Sequence, residues 1–101
     1  MKYIVEFTHT AELEADSAYE WILKDSPINA LNWFEGLVES LDSLCSMPER
    51  CPIAPESEEV GQEIRHLLYG KFRILFSVSQ KTVSILHIRH GAQDRMKRDS
   101  F

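Results

Sequence analysis

The chain opens on a two-residue alternation, with Tyr3, Val5 and Phe7 on one side of an extended segment and Lys2, Ile4 and Glu6 on the other. Period two, with aromatic and β-branched residues, predicts a strand over about residues 2–8. The period then lengthens. Ala11, Ala15, Ala18 and Ile22 recur at helical spacing beside Tyr19, Thr8 or Thr10 suits the N-cap, and Glu12 and Glu14 fall in the first turn, where the helix dipole favours anions. The small alanines on that stripe let a second helix approach closely. Ser26-Pro27 restarts the pattern, serine as a cap and proline at the first helical position. Beyond it Ala30, Trp33, Phe34, Leu37, Val38, Leu41 and Leu44 form the strongest amphipathic stripe of the chain, with Glu35, Glu39 and Asp42 on the other face. Two helices joined by so short a turn run antiparallel as an αα-hairpin.

Met47-Pro48 ends the second helix. From there to Gly61 the chain carries Pro48, Pro52 and Pro55 with Glu56, Glu58 and Glu59, and reads as a loop crossing back over the surface. Three strands are predicted next, over 62–69, 71–79 and 82–90, with Gly70 turning the first pair and Gln80-Lys81 the second. In the middle strand Phe72, Ile74, Phe76 and Val78 share one face, and Arg73, Leu75, Ser77 and Ser79 the other. The expected fold is α+β in the order β-αα-βββ, a helical hairpin packed on one face of a small antiparallel sheet whose second face is open. The first strand pairs beside the last or the middle strand. The polar tail 93–101 is expected to be mobile, and residues 1–101 to form one domain.

Composition narrows the class. The 101 residues are 44% hydrophobic and 27% charged, an ordinary globular balance, and no run of 18 apolar residues is present for a membrane span. Met1-Lys2 leads straight into the first strand, without the basic and apolar leader of a secreted chain. Cys45 and Cys51 lack the companions of a disulfide framework or a zinc site. Cys45 is expected in the core and Cys51 as a loop thiol, in a cytoplasmic protein with reduced cysteines and no cofactor. The net charge of −5 hides a division: residues 1–60 hold 13 Asp+Glu against 3 Lys+Arg, a balance of −10, whereas residues 61–101 hold 3 against 8, a balance of +5. A basic half attracts an acidic partner or a phosphate backbone, although the overall charge speaks against tight generic nucleic-acid binding.

Continued across the sheet, the middle-strand alternation gathers cations on the open face. Arg73 lies there directly, His87 and Arg89 follow if Leu86 and Ile88 face the helices, and Arg65 joins if Ile64 and Leu68 face inward. Guanidinium groups bind phosphate bidentately, and a nearby histidine moves a proton at neutral pH. RNA cleavage by the 2′-hydroxyl needs such a set: a base, an acid and fixed positive charge on the developing phosphorane. The plainer reading pairs each arginine with a neighbouring carboxylate. His87 and His90, three apart on a strand, point to opposite faces and share no metal ion. No nucleophile elbow, phosphate-cradling glycine loop or paired carboxylates in a polar cleft are present.

The whole pattern resembles the RelE/ParE superfamily of toxins from bacterial type II toxin–antitoxin modules, often labelled plasmid stabilisation proteins. The likeness rests on the opening strand Tyr3–Phe7, the alanine-bearing first helix, Ser26-Pro27 ahead of Ala30, and Leu41-x-x-Leu44-x-x-x-Pro48. It continues through Glu63-Ile64-Arg65, Gly70-Lys71-Phe72-Arg73-Ile74 in place of the family's G-x-Y-R-I/V, and the terminal Ile85-Leu86-His87-Ile88-Arg89-His90-Gly91, covering about residues 3–95. The resemblance implies a growth-inhibiting toxin neutralised by a cognate antitoxin, in a heterocomplex or as a homo-oligomer. RelE-like members cleave mRNA in the ribosome with basic residues and often a tyrosine near the C-terminus; ParE-like members poison DNA gyrase. No tyrosine follows Tyr69 here, and the long helical hairpin and the His-Gly-Ala-Gln-Asp ending look closer to the ParE branch. A ribonuclease would have to work with Arg65, Arg73, His87, Arg89 and His90. A third alternative is a non-toxic binding partner in an antitoxin complex. An acidic, amphipathic antitoxin segment is expected on the open sheet face and the groove beside the hairpin, at Arg65, Arg73, Leu75 and Arg89.

Overall fold

The computed structural model describes residues 2–91, so the segment 93–101, expected to be mobile, lies outside the described residues. The alternating opening forms β1 (Ile4–Phe7), followed by α1 (His9–Asp25) and α2 (Pro27–Asp42). Short 3₁₀ turns at Ser43–Cys45 and Pro48–Arg50 lead to α3 (Glu56–Val60), then β2 (Arg65–Tyr69), β3 (Phe72–Ser79) and β4 (Thr82–His90). The sheet order is β1-β4-β3-β2. β2, β3 and β4 form the expected antiparallel meander. β1 departs from the expectation of an all-antiparallel sheet: it lies beside the last strand and runs parallel to it, from Ile4 opposite Thr82 to Phe7 opposite Ile85. The helical hairpin between them carries the chain back to the starting end, and that makes the parallel pairing possible.

Local chemistry sets the joints. The Thr8 side chain accepts the Ala11 N–H at 3.2 Å and donates to the Ile85 carbonyl at 2.8 Å, so one residue starts α1 and pins it to β4. Ser26 ends α1, its N–H donating to the Ile22 carbonyl, and its hydroxyl accepts the Asn29 N–H to start α2. Replacing Ser26 by alanine removes that capping bond. A loss of about 1 kcal/mol is expected in urea unfolding, and Ser26→Asp, which still caps, should retain most of the stability. Gly70 (φ 57°) and Gln80 (φ 56°) take left-handed conformations in the two hairpin turns.

The core lies between the helices and the sheet, around Ala11, Leu37, Leu41, Leu44, Ile74, Phe76, Val83 and Ile85, with Trp33, Tyr69 and Phe72 packed at its margin. The outer residues of the second stripe, Phe34 and Val38, stay exposed. Tyr69 crosses from β2 to α2, its hydroxyl donating to the Trp33 carbonyl at 2.8 Å. It fits there because residue 36 is glycine: a Cβ at that position would lie 2.1 Å from the Tyr69 Oη.

The second sheet face is covered around Leu75, while Leu68 on the same face stays exposed. The proline-rich segment expected to be a plain surface loop folds into a 3₁₀ turn and α3 and lies over it. Ala54 and Ile64 bury Leu75 completely, with Val60 and Leu86 around them. The segment adds an isolated bridge between Ile53 and Arg65. The cysteines are also exchanged relative to expectation: Cys51 belongs to the buried cluster and Cys45 is only half-buried. Burial raises the Cys51 thiol pKa, with Arg50 and Arg65 pulling it back.

Candidate functional site

The arginines and histidines picked out in the sequence do not gather on one surface. The turn after Tyr69 fixes the register of β2 on β3, placing Leu68 opposite Arg73, His66 opposite Leu75 and Arg65 opposite Phe76. Cross-strand partners share a face, so Arg65 lies on the helix side with Phe76. There its Nη1 donates to the carbonyls of Glu49 (3.0 Å) and Cys51 (2.6 Å) while Nη2 meets Glu63 at 3.2 Å. It is a clasp holding the 48–52 segment to β2. The condition that would have set it beside Arg73 fails: Ile64 is buried under the other face and Leu68 is exposed.

Arg73 reaches the covered face and meets a carboxylate that sequence reading placed in solvent. Glu56 is fully buried, and the Arg73 guanidinium grips it bidentately, Nη1 to Oε2 and Nη2 to Oε1, each at 2.8 Å. The Glu56 hydrogen bond strengthens the hold of Arg73 on its proton against the opposing effect of burial. His66, a residue the sequence reading passed over, brings Nδ1 to 3.2 Å from Arg73 Nη2. Burial and then the Arg73 charge lower the His66 pKa from its ordinary 6.5, with Glu56 pulling weakly the other way.

A ring that protonates less readily folded than unfolded contributes stability above about pH 6.5, and that contribution is lost as the pH falls through the folded value. Unfolding midpoints measured from pH 7.5 down to pH 5 should therefore decline. His66→Gln should flatten the decline, and an unchanged slope would show that other groups carry it.

β4 is bulged. Phe76 pairs with Ile85 but Leu75 pairs with His87, so Leu86 is an extra residue and everything after it changes face. Leu86 packs under the loop and Ile88 in the helix-side core, so the two do not share a face as the sequence reading required. His87, only 5% exposed, has its Nδ1 3.1 Å from Glu14 Oε1 on α1, and Arg89 Nη1 is 3.8 Å from Glu14 Oε2. The Ile88 backbone N–H donates to Glu14 Oε1 at 3.0 Å. His90, on the helix side opposite Phe72, packs its ring edge-on to that of Phe72 at 5.3 Å.

Glu14, Ile88, Arg89 and His90 line an open groove of about 800 Å³ between α1 and β4. Leu13, Ala18 and Trp21 form one wall and Phe72, Ile88 and His90 the other, with Glu14 and Arg89 at its polar side. Trp21 is 70% and Leu13 53% exposed, large apolar groups left uncovered along the groove. A second hollow of about 420 Å³ shares Phe72 and His90 with it and adds Lys71 and Arg73. An apolar channel with cations at one end fits an amphipathic segment carrying acidic residues. No helix of the described residues is long and apolar enough to cross a membrane.

Comparison with known proteins agrees with this architecture. The model of the family described as ParE toxin of type II toxin-antitoxin system, parDE, matches residues 5–95. Among solved structures, the chromosomal ParDE toxin-antitoxin system from P. aeruginosa contains a chain of the same fold. The TM-score is 0.71 at 22% identity, covering 88% of this chain and 96% of that one. No curated protein gives a significant sequence match.

Proposed function

Because this chain belongs to the ParE toxin family of type II toxin–antitoxin systems, we propose that it is the toxin of such a module, arresting growth by binding a protein target, DNA gyrase, and silenced by an antitoxin seated in the α1–β4 groove. The family match over residues 5–95 carries this reading. The groove supports it, since exposed Trp21 and Leu13 beside Arg89 and His90 suit an acidic amphipathic segment better than solvent.

The distribution of cations supports binding over RNA cleavage. Arg65 holds loop carbonyls through Nη1 and Glu63 through Nη2, Arg73 is clamped on Glu56, and His87 is buried against Glu14. A cleavage site needs base, acid and phosphate-binding groups aimed at one point, and these residues are divided between two faces of the sheet.

The test is controlled expression in a bacterial host with and without the adjacent small open reading frame, following growth, transcript integrity and the SOS response. Growth arrest, intact transcripts, SOS induction and relief by the neighbouring gene are expected. Transcripts cut inside translated regions would replace this reading with a ribosome-dependent endoribonuclease, and absence of arrest would leave a non-toxic binding partner.

A further inference from the structure

β1 covers only part of its neighbour. Its last pair is Phe7 with Ile85, where Thr8 turns the chain into α1, whereas β4 runs on to His90. Among the described residues no strand pairs with that side of β4 beyond Ile85. An uncovered strand edge is a template for another extended chain. Here a side chain stands in the place of that chain. Glu14 Oε1 accepts the Ile88 N–H at 3.0 Å, as the main-chain carbonyl of an added strand would. The same carboxylate meets His87 Nδ1 at 3.1 Å and Arg89 Nη1 at 3.8 Å. Strand alternation turns the Ile88 carbonyl and the His90 N–H to the same side, and the groove lined by Leu13 and Trp21 runs along it.

We propose that the partner adds an extended segment to this length of β4 and that Glu14 is the group it displaces. This rests on the reading that an antitoxin occupies the groove, and goes further by naming the mode of attachment. What the segment replaces defines its chemistry. It brings a main-chain carbonyl to the Ile88 N–H, an acidic side chain to the positions Glu14 gives up beside His87 and Arg89, and an apolar side chain against Leu13 and Trp21. Glu14 is thus an internal copy of the partner's acid, keeping the edge satisfied while the toxin is alone and leaving it on binding.

The experiment uses the product of the adjacent open reading frame as the probe and reads the Ile88 amide by hydrogen exchange and NMR in wild type, Glu14→Ala and Glu14→Gln. In the free protein Glu14→Ala should speed Ile88 exchange by about tenfold or more, while Glu14→Gln, still offering an acceptor oxygen, should stay near wild type. In the complex Ile88 should be protected in all three, and Glu14→Ala should bind about tenfold more tightly, because no internal acceptor has to be displaced. If Glu14→Ala does not fold, Glu14→Gln decides the matter: the nuclear Overhauser contact between the Ile88 N–H and the residue-14 side-chain amide must vanish on binding. A complex that forms while Ile88 in Glu14→Ala exchanges as fast as in the free variant, or in which the Glu14→Gln contact persists, overturns strand addition and leaves the antitoxin reading standing. Failure of any complex to form overturns both.

Discussion

Arg73→Ala is expected to lower folding stability by about 3–5 kcal/mol, the range for removing one partner of a buried ion pair. The size comes from Glu56, which is fully buried and would lose the guanidinium that pairs with it through two 2.8 Å bonds. Removing the charges together should be far milder. A Glu56→Gln/Arg73→Met double variant is expected within about 1.5 kcal/mol of wild type, because an apolar stem beside a neutral amide carries no unpaired charge. Urea unfolding of the three proteins measures both numbers, and a loss below about 1 kcal/mol in Arg73→Ala would show that the pair is not a clamp. The double variant also separates fold from function. If it is folded and still arrests growth, Arg73 serves the fold; if it is folded and inert, the guanidinium also touches the target.

Gly36→Ala is the second large effect, a net loss of up to about 2 kcal/mol. Alanine is intrinsically the better helix former by about 1 kcal/mol, yet its Cβ would fall 2.1 Å from the Tyr69 Oη and 2.9 Å from Cζ. The ring is held between its hydrogen bond to the Trp33 carbonyl and the indole of Trp33, so relief requires β2 and α2 to separate, and overpacking of this kind costs about 1–3 kcal/mol. Tyr69→Phe removes the closest atom at the expense of one hydrogen bond. In a thermal or urea series the double variant Gly36→Ala/Tyr69→Phe should therefore lose less than the two single losses together. Strict additivity would mean that the two residues do not meet.

Much of the fold was legible because its signals are local. Ser26-Pro27 marks the hairpin through its own hydroxyl and fixed φ, and the Trp33–Leu44 stripe shows a helix without reference to anything else. Gly70 and Gln80-Lys81 likewise mark turns by local conformation. Other features depend on residues far apart in the chain. The parallel pairing of β1 joins Ile4 to Thr82, and no nearby residue records it. Prolines at 48, 52 and 55 mark breaks between short elements, but they do not say that the segment folds over the sheet.

The candidate site was read less well, for two different reasons. The position of Arg65 was recoverable: counting back from the Gly70 turn sets it opposite Phe76, on the helix face. His87 was not, because the face it presents depends on the Leu86 bulge, and nothing in Ile85-Leu86-His87-Ile88 distinguishes a bulged strand from a regular one. Glu56 shows the same limit. Amid Glu58 and Glu59 it reads as solvated, and its burial goes with the arrival of Arg73, seventeen residues on, which pairs with it.

The place of β1 beside β4 also bears on how the chain is made. Ribosomes deliver β1 first and β4 last of the described strands, and in the finished sheet β4 pairs with both β1 and β3. Until it emerges, the helical hairpin has only part of a surface on which to lay Leu37, Leu41 and Leu44, and β1 has nothing to pair with. Such long-range closure defers folding to the end of synthesis. A chain cut or stalled before Thr82 then lacks the strand that joins β1 to the rest of the sheet. The groove between α1 and β4 likewise comes into being only with the last strand, so the fold and this concavity are completed in the same step.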